Sequence, residues 1–502
     1  MRVASNTGFM LRASQVRNDI FVPRYYDPRI ERDLDALSAT HELVSLRDLI
    51  RRGDLEHSHG DYVPKMYYGT GPFPYIRTSD ISNWELRVSP KHGVSQDVFD
   101  HYTAEQDVQV GDILFVHEGT YLIGTAAIVS EQDGSLLYQH HLAKFRVTRR
   151  ANFSAYYLLA ALASSVVQRQ IRARQFSADI IDSVVGRIEE VVIPIPKASG
   201  QRDRIGETAQ RTVSTRSELR AQLSSLFANL GLLLKSASQA ELDKAISMTG
   251  SSGGQTFLGD REPFVAYTKR LDSLDPDILI PKYYDPRLAE DLASYEGNCR
   301  LRSIQELIED GIISITTGDE IGRLNYGSGP YPFVRTSDLG TYELKHDAKQ
   351  GVSKQVLTTY GRQDVRAEDI LLVRDGTYLV GSSTLVFEED LPLVFCGGIF
   401  KITVRQPDTL PPGLLYALLN LPVVRRQMRS KQFTRDVIDT LGRRFLDVVL
   451  PLPREGEFRN AIGAFVLDAC HQRVQARAVM SRLCKDLFTS TKDPAASSDN
   501  QV

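Results

Sequence analysis

The chain of 502 residues has little cysteine, a single tryptophan and almost no surplus of charge. Its four cysteines, Cys299, Cys396, Cys470 and Cys484, all fall in the second half, and none stands in CxxC spacing. A disulfide framework or zinc site would be expected to have counterparts in the first half, which has no cysteine, so they read as free thiols of a reducing compartment. Long apolar runs are also missing. No stretch approaches the roughly 18 apolar residues that span a bilayer, and the opening MRVASNTGFMLRASQ builds no signal-peptide core. The expectation is a cytoplasmic protein that does not enter a membrane. Lys and Arg number 60 against 63 Asp and Glu, a formal charge of −3. A nucleic-acid partner would therefore need positive charge gathered locally.

Signatures of several enzyme classes are absent as well. There is no Walker A loop, HExxH or GxSxG, and no N/D-P-P-aromatic loop or Gly-rich cofactor loop of an amino-methyltransferase. A nuclease-like pattern can be drawn on Asp338, Glu343 and Lys345, but the first half has Glu85-Leu86-Arg87 there and lacks the lysine. His57 and His59 sit close together, as do His140 and His141. Neither pair recurs in the second half, and both read as surface histidines. The chain is read as non-catalytic, with no metal and no cofactor of its own.

What is present is an internal repeat, which sets the architecture before anything else does. YYDPR at 25–29 returns at 283–287, and GTGPFPYIRTSDI at 69–81 returns as GSGPYPFVRTSDL at 327–339. GDILFVHEGTYLIG at 111–124 returns as EDILLVRDGTYLVG at 368–381, and RQFSADIIDSVVG at 174–186 as KQFTRDVIDTLG at 431–442. The offset is 258 residues at first and 257 later. A period this long excludes a solenoid. The chain is two whole copies of one unit.

Each copy begins with short apolar runs bounded by Gly and Pro, which read as strands: 113–116, 126–129 and 145–147, matched by 370–373, 383–387 and 402–404. Segments 154–171 and 413–428 carry apolar residues at helical spacing. Each copy then reaches IPIP (193–196) or LPLP (450–453), where the prolines are expected to break regular structure. Beyond them Ile205, Ala209, Thr212, Arg216, Leu219, Leu223, Leu226 and Leu230 follow a 4-3-4-3 spacing. Ile462, Val466, Ala469, Arg473, Ala476, Met480, Leu483 and Leu487 repeat it 257 residues on. That is a heptad seam of about four heptads, on a helix of order 40 Å. Its pairing residues are expected to be Leu219, Leu223, Leu226 and Leu230 with Ala476, Met480, Leu483 and Leu487. The matched interruptions at Thr212 and Arg216, and at Ala469 and Arg473, suit register-setting between two equivalent helices. Crossing antiparallel, such helices would give a pseudo-twofold molecule. The alternative is that each helix packs on its own domain.

The repeated polar segments carry the binding chemistry. RTSD follows an apolar strand and offers an arginine, two hydroxyls and a carboxylate. Arg77 and Arg335 could pair with a guanine or hold a phosphate; equally, Asp80 and Asp338 could cap the turn from inside. The HEGTY and RDGTY loops differ at His117 and Arg374, where two readers of different sequences would diverge, though each could be a plain hairpin turn. Basic residues gather at 425–444, with a thinner set at 169–187. Arg172, Arg174 and Gln175, with Arg429, Lys431 and Gln432, are candidates for a phosphate-tracking surface, against the simpler reading of a solvated helical face.

In this order, and occurring twice, YYDP, strand–RTSD, GDILFV-x-x-GTYLIG, RQF-x-x-x-I-I-D, V-x-I-P-x-P and a long helix resemble the specificity subunit of type I restriction–modification systems. The resemblance runs from about Phe21 to Phe488. It implies an α/β fold class, with mixed α+β target-recognition domains in tandem duplicate and two long helices in an antiparallel coiled coil. The boundaries it implies are 1–197 and 258–454 for the two domains, 198–247 and 455–488 for the helices, 248–257 for a linker and 489–502 for a disordered tail. It further implies a bipartite target in double-stranded DNA and two modification (methyltransferase) subunits, with a restriction motor-nuclease subunit joining them. S-adenosylmethionine, Mg and ATP would sit only on those partners. By the same resemblance Arg77, Thr78, Ser79, His117, Thr120 and Tyr121 face DNA, as do Arg335, Thr336, Ser337, Arg374, Thr377 and Tyr378. A specificity protein of another phage-defence methylation system, a duplicated scaffold, or a nuclease with an unrecognised site stand as alternatives.

Overall fold

In the computed structural model the described residues run from 9 to 488, except 18–19, 88–91, 120–121, 179–180, 248–265, 276–277, 347, 349, 361–363, 377–378 and 436–437. The expected linker (248–257) and tail (489–502) lie outside them. The chain divides into two compact units. One comprises residues 1–217, 255–259 and 476–502; the other comprises 218–254 and 260–475.

In the first unit the run Ile113–Val116 lies inside a four-stranded antiparallel sheet, between Leu142–Val147 and Ala126–Ile128, with Leu55–His59 at the edge. Strand side chains alternate between faces, and here both faces are covered. Ile113 and Phe115 join Phe145 and Tyr157 in one core, while Leu114 and Val116 join Ile76, Tyr138 and Leu142 in another. That is why the run is apolar throughout rather than alternating. The second unit builds the same sheet from Ile313–Thr317, Ile399–Val404, Ile370–Val373 and Ser383–Leu385.

The helical segment 154–171 is two helices, Ala155–Ala163 and Ser165–Ala173. Ser164 makes the break: it is extended, donates to the Ala161 carbonyl and accepts from the Val167 amide. A side chain that competes with the backbone ladder favours a cap over a helix interior. In the second unit Pro422 interrupts the matching segment, leaving Pro412–Leu419 and Pro422–Lys431.

The IPIP and LPLP motifs do not break structure as expected. Val192–Pro196 pairs antiparallel with His41–Ser45, and Val449–Pro453 with Cys299–Ser303. Each ribbon has only two strands, so every strand is an edge. A proline on an edge loses no ladder bond when its missing N–H faces outward, and prolines two residues apart share one side.

The long helices are Ser199–Ser236 and Gly456–Asp486. The first stops short of the expected 198–247: Ala237 adopts a left-handed φ of 48°, and a separate helix follows at Gln239–Ser247. Both long helices are divided between the units. In the first unit Ile205, Ala209 and Val213 from the start of one share a core with Met480, Cys484, Leu487 and Phe488 from the end of the other, together with the head residues Tyr157 and Phe153. In the second unit Phe227 packs its ring on Tyr342 and Tyr416, and the hydroxyl of Tyr295 lies 2.9 Å from where a Gly231 Cβ would be. The other helix meets the same unit at Gly463, whose Cβ would sit 2.6 Å from the Pro411 side chain. So each unit is built on part of each helix, which neither reading of the seam anticipated. The buried face is also wider than a heptad stripe. Leu223, Leu226, Leu230, Met480 and Leu487 are buried and Leu219, Ala476 and Leu483 half-buried, but Val213, Leu233, Val474 and Cys484 are buried too.

The interruptions at Arg216 and Arg473 have a different cause from register-setting. Arg216 donates to the Glu85 carboxylate at 2.6 Å in the first unit, and Arg473 to Glu343 at 2.9 Å in the second, all four side chains buried. Each glutamate follows a buried aromatic in the left-handed region, Trp84 (φ 63°) or Tyr342 (φ 67°). Such backbone costs a non-glycine residue about 1–2 kcal/mol, and both copies keep it at the same place.

Candidate nucleic-acid interface

The repeated polar motifs converge within each unit. RTSD opens a 3₁₀ turn, Thr78–Asp80 or Thr336–Asp338. Its aspartate caps from inside: Asp80 accepts from the Arg77 amide at 3.0 Å, and Asp338 from the Arg335 amide at 2.9 Å. The arginine side chain is not spent on that carboxylate. Arg77 lies over the Tyr68 ring and Arg335 over Tyr326, at 5.8 Å in each case. Such stacking orients a guanidinium without discharging it. Arg77 also reaches Gln139 at 3.4 Å and His92 at 3.3 Å. Thr78, Ser79, Thr336 and Ser337 are half-buried beside them.

The next motif is more than a hairpin turn. Glu118–Gly119 pairs with Ile181–Ser183, and Asp375–Gly376 with Ile438–Thr440. The loop is thereby tied to the RQF and KQF hairpins. In the second unit Thr336 lies 3.4 Å from the space a Gly398 Cβ would fill, and Asp375 lies 3.7 Å from it. RTSD and RDG thus flank one glycine pair. Thr120, Tyr121, Thr377 and Tyr378 lie outside the described residues.

The variable position is engaged internally in both units. His117 is only 3% exposed, and its Nε2 lies 3.4 Å from Nδ1 of His59. Burial and the neighbouring His59 push it down to about 4. Expected as a DNA-facing reader, it is a buried imidazole instead. Four other histidines cluster beside it, His59 exposed and His57, His140 and His141 half-buried. The His57 ring stacks on Phe145 at 4.9 Å and meets His59 at 4.7 Å, His140 lies 4.0 Å from His141, and His141 bonds Glu118 at 2.6 Å. These five are half of the ten histidines in the chain. The second copy has Ile315, Thr317, Arg374, Gly397 and Gly398 at those positions. Arg374 there forms a two-point bond to Asp375, at 2.6 and 2.9 Å. Among the described residues no group of three or more His, Cys, Asp or Glu could hold a metal ion, and all four cysteines are buried and free.

The basic run also needs correcting. Tyr25 donates to Glu190 at 2.7 Å, and Arg174 lies over the Tyr25 ring at 5.7 Å and 3.5 Å from the same carboxylate. Lys431 lies over Tyr283 at 4.8 Å. Burial lowers the pKa of both cations. Gln175 bonds Asp182 at 2.5 Å, and Gln432 bonds Asp439 at 2.6 Å. Arg187 covers Phe176 at 4.1 Å, and Arg444 covers Phe433 at 3.9 Å. The shared run clasps YYDPR to the hairpin in each unit, and its recurrence reports that bond rather than a phosphate track. Arg172 and Arg429 stay exposed. Arg425 is unusual among the cations. Its Nη1 is buried with no partner, Nη2 reaches only the Ser382 hydroxyl at 3.5 Å, and burial pushes it down to about 10. The first copy has Gln168 there, bonded to the Gly124 and Leu162 carbonyls at 2.8 Å. Arg425→Gln should therefore stabilise the second unit, by about 1–2 kcal/mol; an unchanged or lower denaturation midpoint would show that the guanidinium is compensated.

No protein-family model matches the sequence, and no curated protein matches it. Among described residues no helix is long and apolar enough to cross a membrane. Among the solved structures similar to this chain are three that each cover most of it. One is the S subunit of a type I restriction–modification system from M. genitalium, at 12% identity and a TM-score of 0.36, covering 90% of this chain and 97% of that one. The second comes from work on complex assembly and conformational transition of the type I R-M system, at 15% identity and 0.25, covering 89% and 98%. The third is the HsdS subunit of Thermoanaerobacter tengcongensis, at 17% identity and 0.25, covering 86% and 95%. None of these superpositions is tight enough to transfer a role from residue to residue.

Proposed function

We propose that the chain is the DNA-recognition subunit of a type I restriction–modification complex, with one head reading each half of a bipartite site. The observation that carries this is a common frame with different chemistry at one place. In both units the RTSD turn and the HEG or RDG loop are brought together by the same strands. At the shared position one unit has clustered histidines and the other an Arg374–Asp375 pair. A pair of readers for unlike half-sites requires such a division between a constant frame and variable chemistry set within it. The ordered motifs of the sequence point the same way. In this reading the long helices pair antiparallel and set the distance between half-sites, and two methyltransferase subunits and a motor-nuclease bring S-adenosylmethionine, Mg and ATP. The DNA-facing groups are Arg77, Thr78, Ser79 and Arg172 in one head, with Arg335, Thr336, Ser337, Arg374 and Arg429 in the other.

The test is to express the chain with its adenine methyltransferase and map the methylated adenines. Methylation should follow a two-part sequence and vanish when the chain is omitted; a partner that methylates the same sites alone would overturn the reading. Arg335→Ala should relax or abolish recognition of one half only, because a lost arginine contact to a base costs about 1–3 kcal/mol at its own position. Equal loss at both halves would make Arg335 structural.

A further inference from the structure

Just before the RTSD strand, each unit leaves an apolar side chain open to water at the same place, beside Tyr62 and Tyr67 in the first unit. Met66 is 77% exposed and Leu324 is 99% exposed. A single exposed apolar residue carries no message, because over half of any protein surface is apolar. These two occupy matched places 258 residues apart. Each sits in a 3₁₀ turn, Lys65–Tyr67 or Arg323–Asn325, and each follows an exposed cation, Lys65 or Arg323.

The turns are pinned. Tyr68 donates its amide to the Lys65 carbonyl at 3.2 Å and Gly69 to Gly93 at 2.8 Å; Tyr326 donates to Arg323 at 3.2 Å and Gly327 to Gly351 at 2.8 Å. A Cβ at Gly71 would meet the Val94 carbonyl at 2.6 Å, and one at Gly329 would meet that of Val352 at 2.6 Å. Only glycine lets the loop cross its neighbouring strand so closely. The residue that closes each turn, Tyr68 or Tyr326, is the ring beneath Arg77 or Arg335. One rigid support therefore carries a protruding apolar side chain, a free-standing cation and the stacked arginine, and it does so in both units.

What receives such a group must offer apolar surface within an anionic frame. Stacked bases between two phosphate chains fit that description, and an apolar side chain held on a stiff turn among cations can part them. We propose that Met66 and Leu324 are wedges that enter the base stack, one in each half-site, with Lys65 and Arg323 on the flanking phosphates. This rests on the recognition reading and names how each head engages the duplex.

The test uses the full chain in complex with its co-purified methyltransferase and a duplex carrying the mapped target. 2-Aminopurine is placed in turn at each step of both half-sites. Binding of the wild-type complex should raise its fluorescence at one step in each half-site. Met66→Ala should abolish the rise in one half-site and Leu324→Ala in the other, each weakening binding about tenfold. Both residues are exposed, so thermal midpoints and co-purification should not change. A wild-type complex that binds the target with no rise at any step overturns the wedges and leaves recognition standing. Loss of methyltransferase co-purification in either variant, with the fluorescence rise intact, assigns the patch to a protein contact and also overturns them. A complex that fails to bind any mapped duplex defeats the recognition reading itself, and the wedges with it.

Discussion

Arg473→Met should destabilise the second unit by about 3–5 kcal/mol, because it takes a buried positive partner away from the buried Glu343 carboxylate. The pair is 2.9 Å apart, with Glu343 1% and Arg473 2% exposed. Arg473 also lies 5.8 Å over the Tyr342 ring, so the substitution removes a stacked plane along with the charge. The magnitude reflects the buried charge left behind and is not a measure of what the intact pair contributes. Desolvating two ions consumes most of their attraction, and apolar replacements of both are often neutral. The double variant Arg473→Met/Glu343→Leu should accordingly recover most of the loss. Urea denaturation of the four proteins closes a double-mutant cycle. If the single variant costs less than about 1 kcal/mol, the range of an exposed ion pair, water reaches the site and the description of the joint is wrong. Arg216→Met with Glu85 makes the matching test in the first unit.

Acid should weaken the first unit far more than the second. An unfolded imidazole takes up its proton near pH 6.5. His117 resists until about 4, held neutral by burial and by His59, with Glu118 acting in the opposite sense and His140 and His141 alongside. His57 and His140 are lowered too, each first by burial. Between pH 6.5 and 4 the unfolded state therefore binds more protons than the folded state, and stability falls as pH falls. It levels off once His117 itself is protonated. His117 alone accounts for a loss of about 2 kcal/mol at pH 5 and about 3 kcal/mol by pH 4. Comparison of urea midpoints at pH 7.5 and 5 reads the effect, and His117→Leu should reduce the difference by about 2 kcal/mol. An unchanged difference would mean that the cluster is hydrated. The second unit has Ile315, Thr317, Arg374, Gly397 and Gly398 at these places and gives no such term.

Much of the fold was legible in the sequence because the repeat doubles every local signal. Strands such as 113–116 and 370–373 announce themselves by apolar runs, and the long helices by spacing. The proline motifs misled because a proline's effect depends on whether its strand is an edge, which no local pattern states. The seam arginines misled for a related reason: their partners stand 131 and 130 residues away. Glu85 and Glu343 fall in a nuclease-like spacing, and their use is structural. Recurrence also proved ambiguous at the basic run. Arg174, Gln175, Lys431 and Gln432 recur because both copies must hold the same clasp, and a bond needed for folding repeats as faithfully as a contact needed for binding. The histidines could have been paired by register, since Ala143 stands opposite His59 and Phe145 opposite His57, but only with the sheet in hand. Met66 and Leu324 gave no signal in composition or motif. The alignment of the two copies places them opposite each other, and exposure gives that match its meaning.

The division of both long helices has a genetic consequence. Neither copy of the repeat encodes a complete folding unit: the first lacks the bed that Met480, Cys484 and Leu487 supply, and the second lacks the one built from Phe227 and Gly231. A polypeptide ending in the segment 248–265 would have an open core until its other half arrived. Two separately translated halves would hold the same described contacts as the fused chain. Covalent continuity through that segment would hold the two halves at a one-to-one ratio.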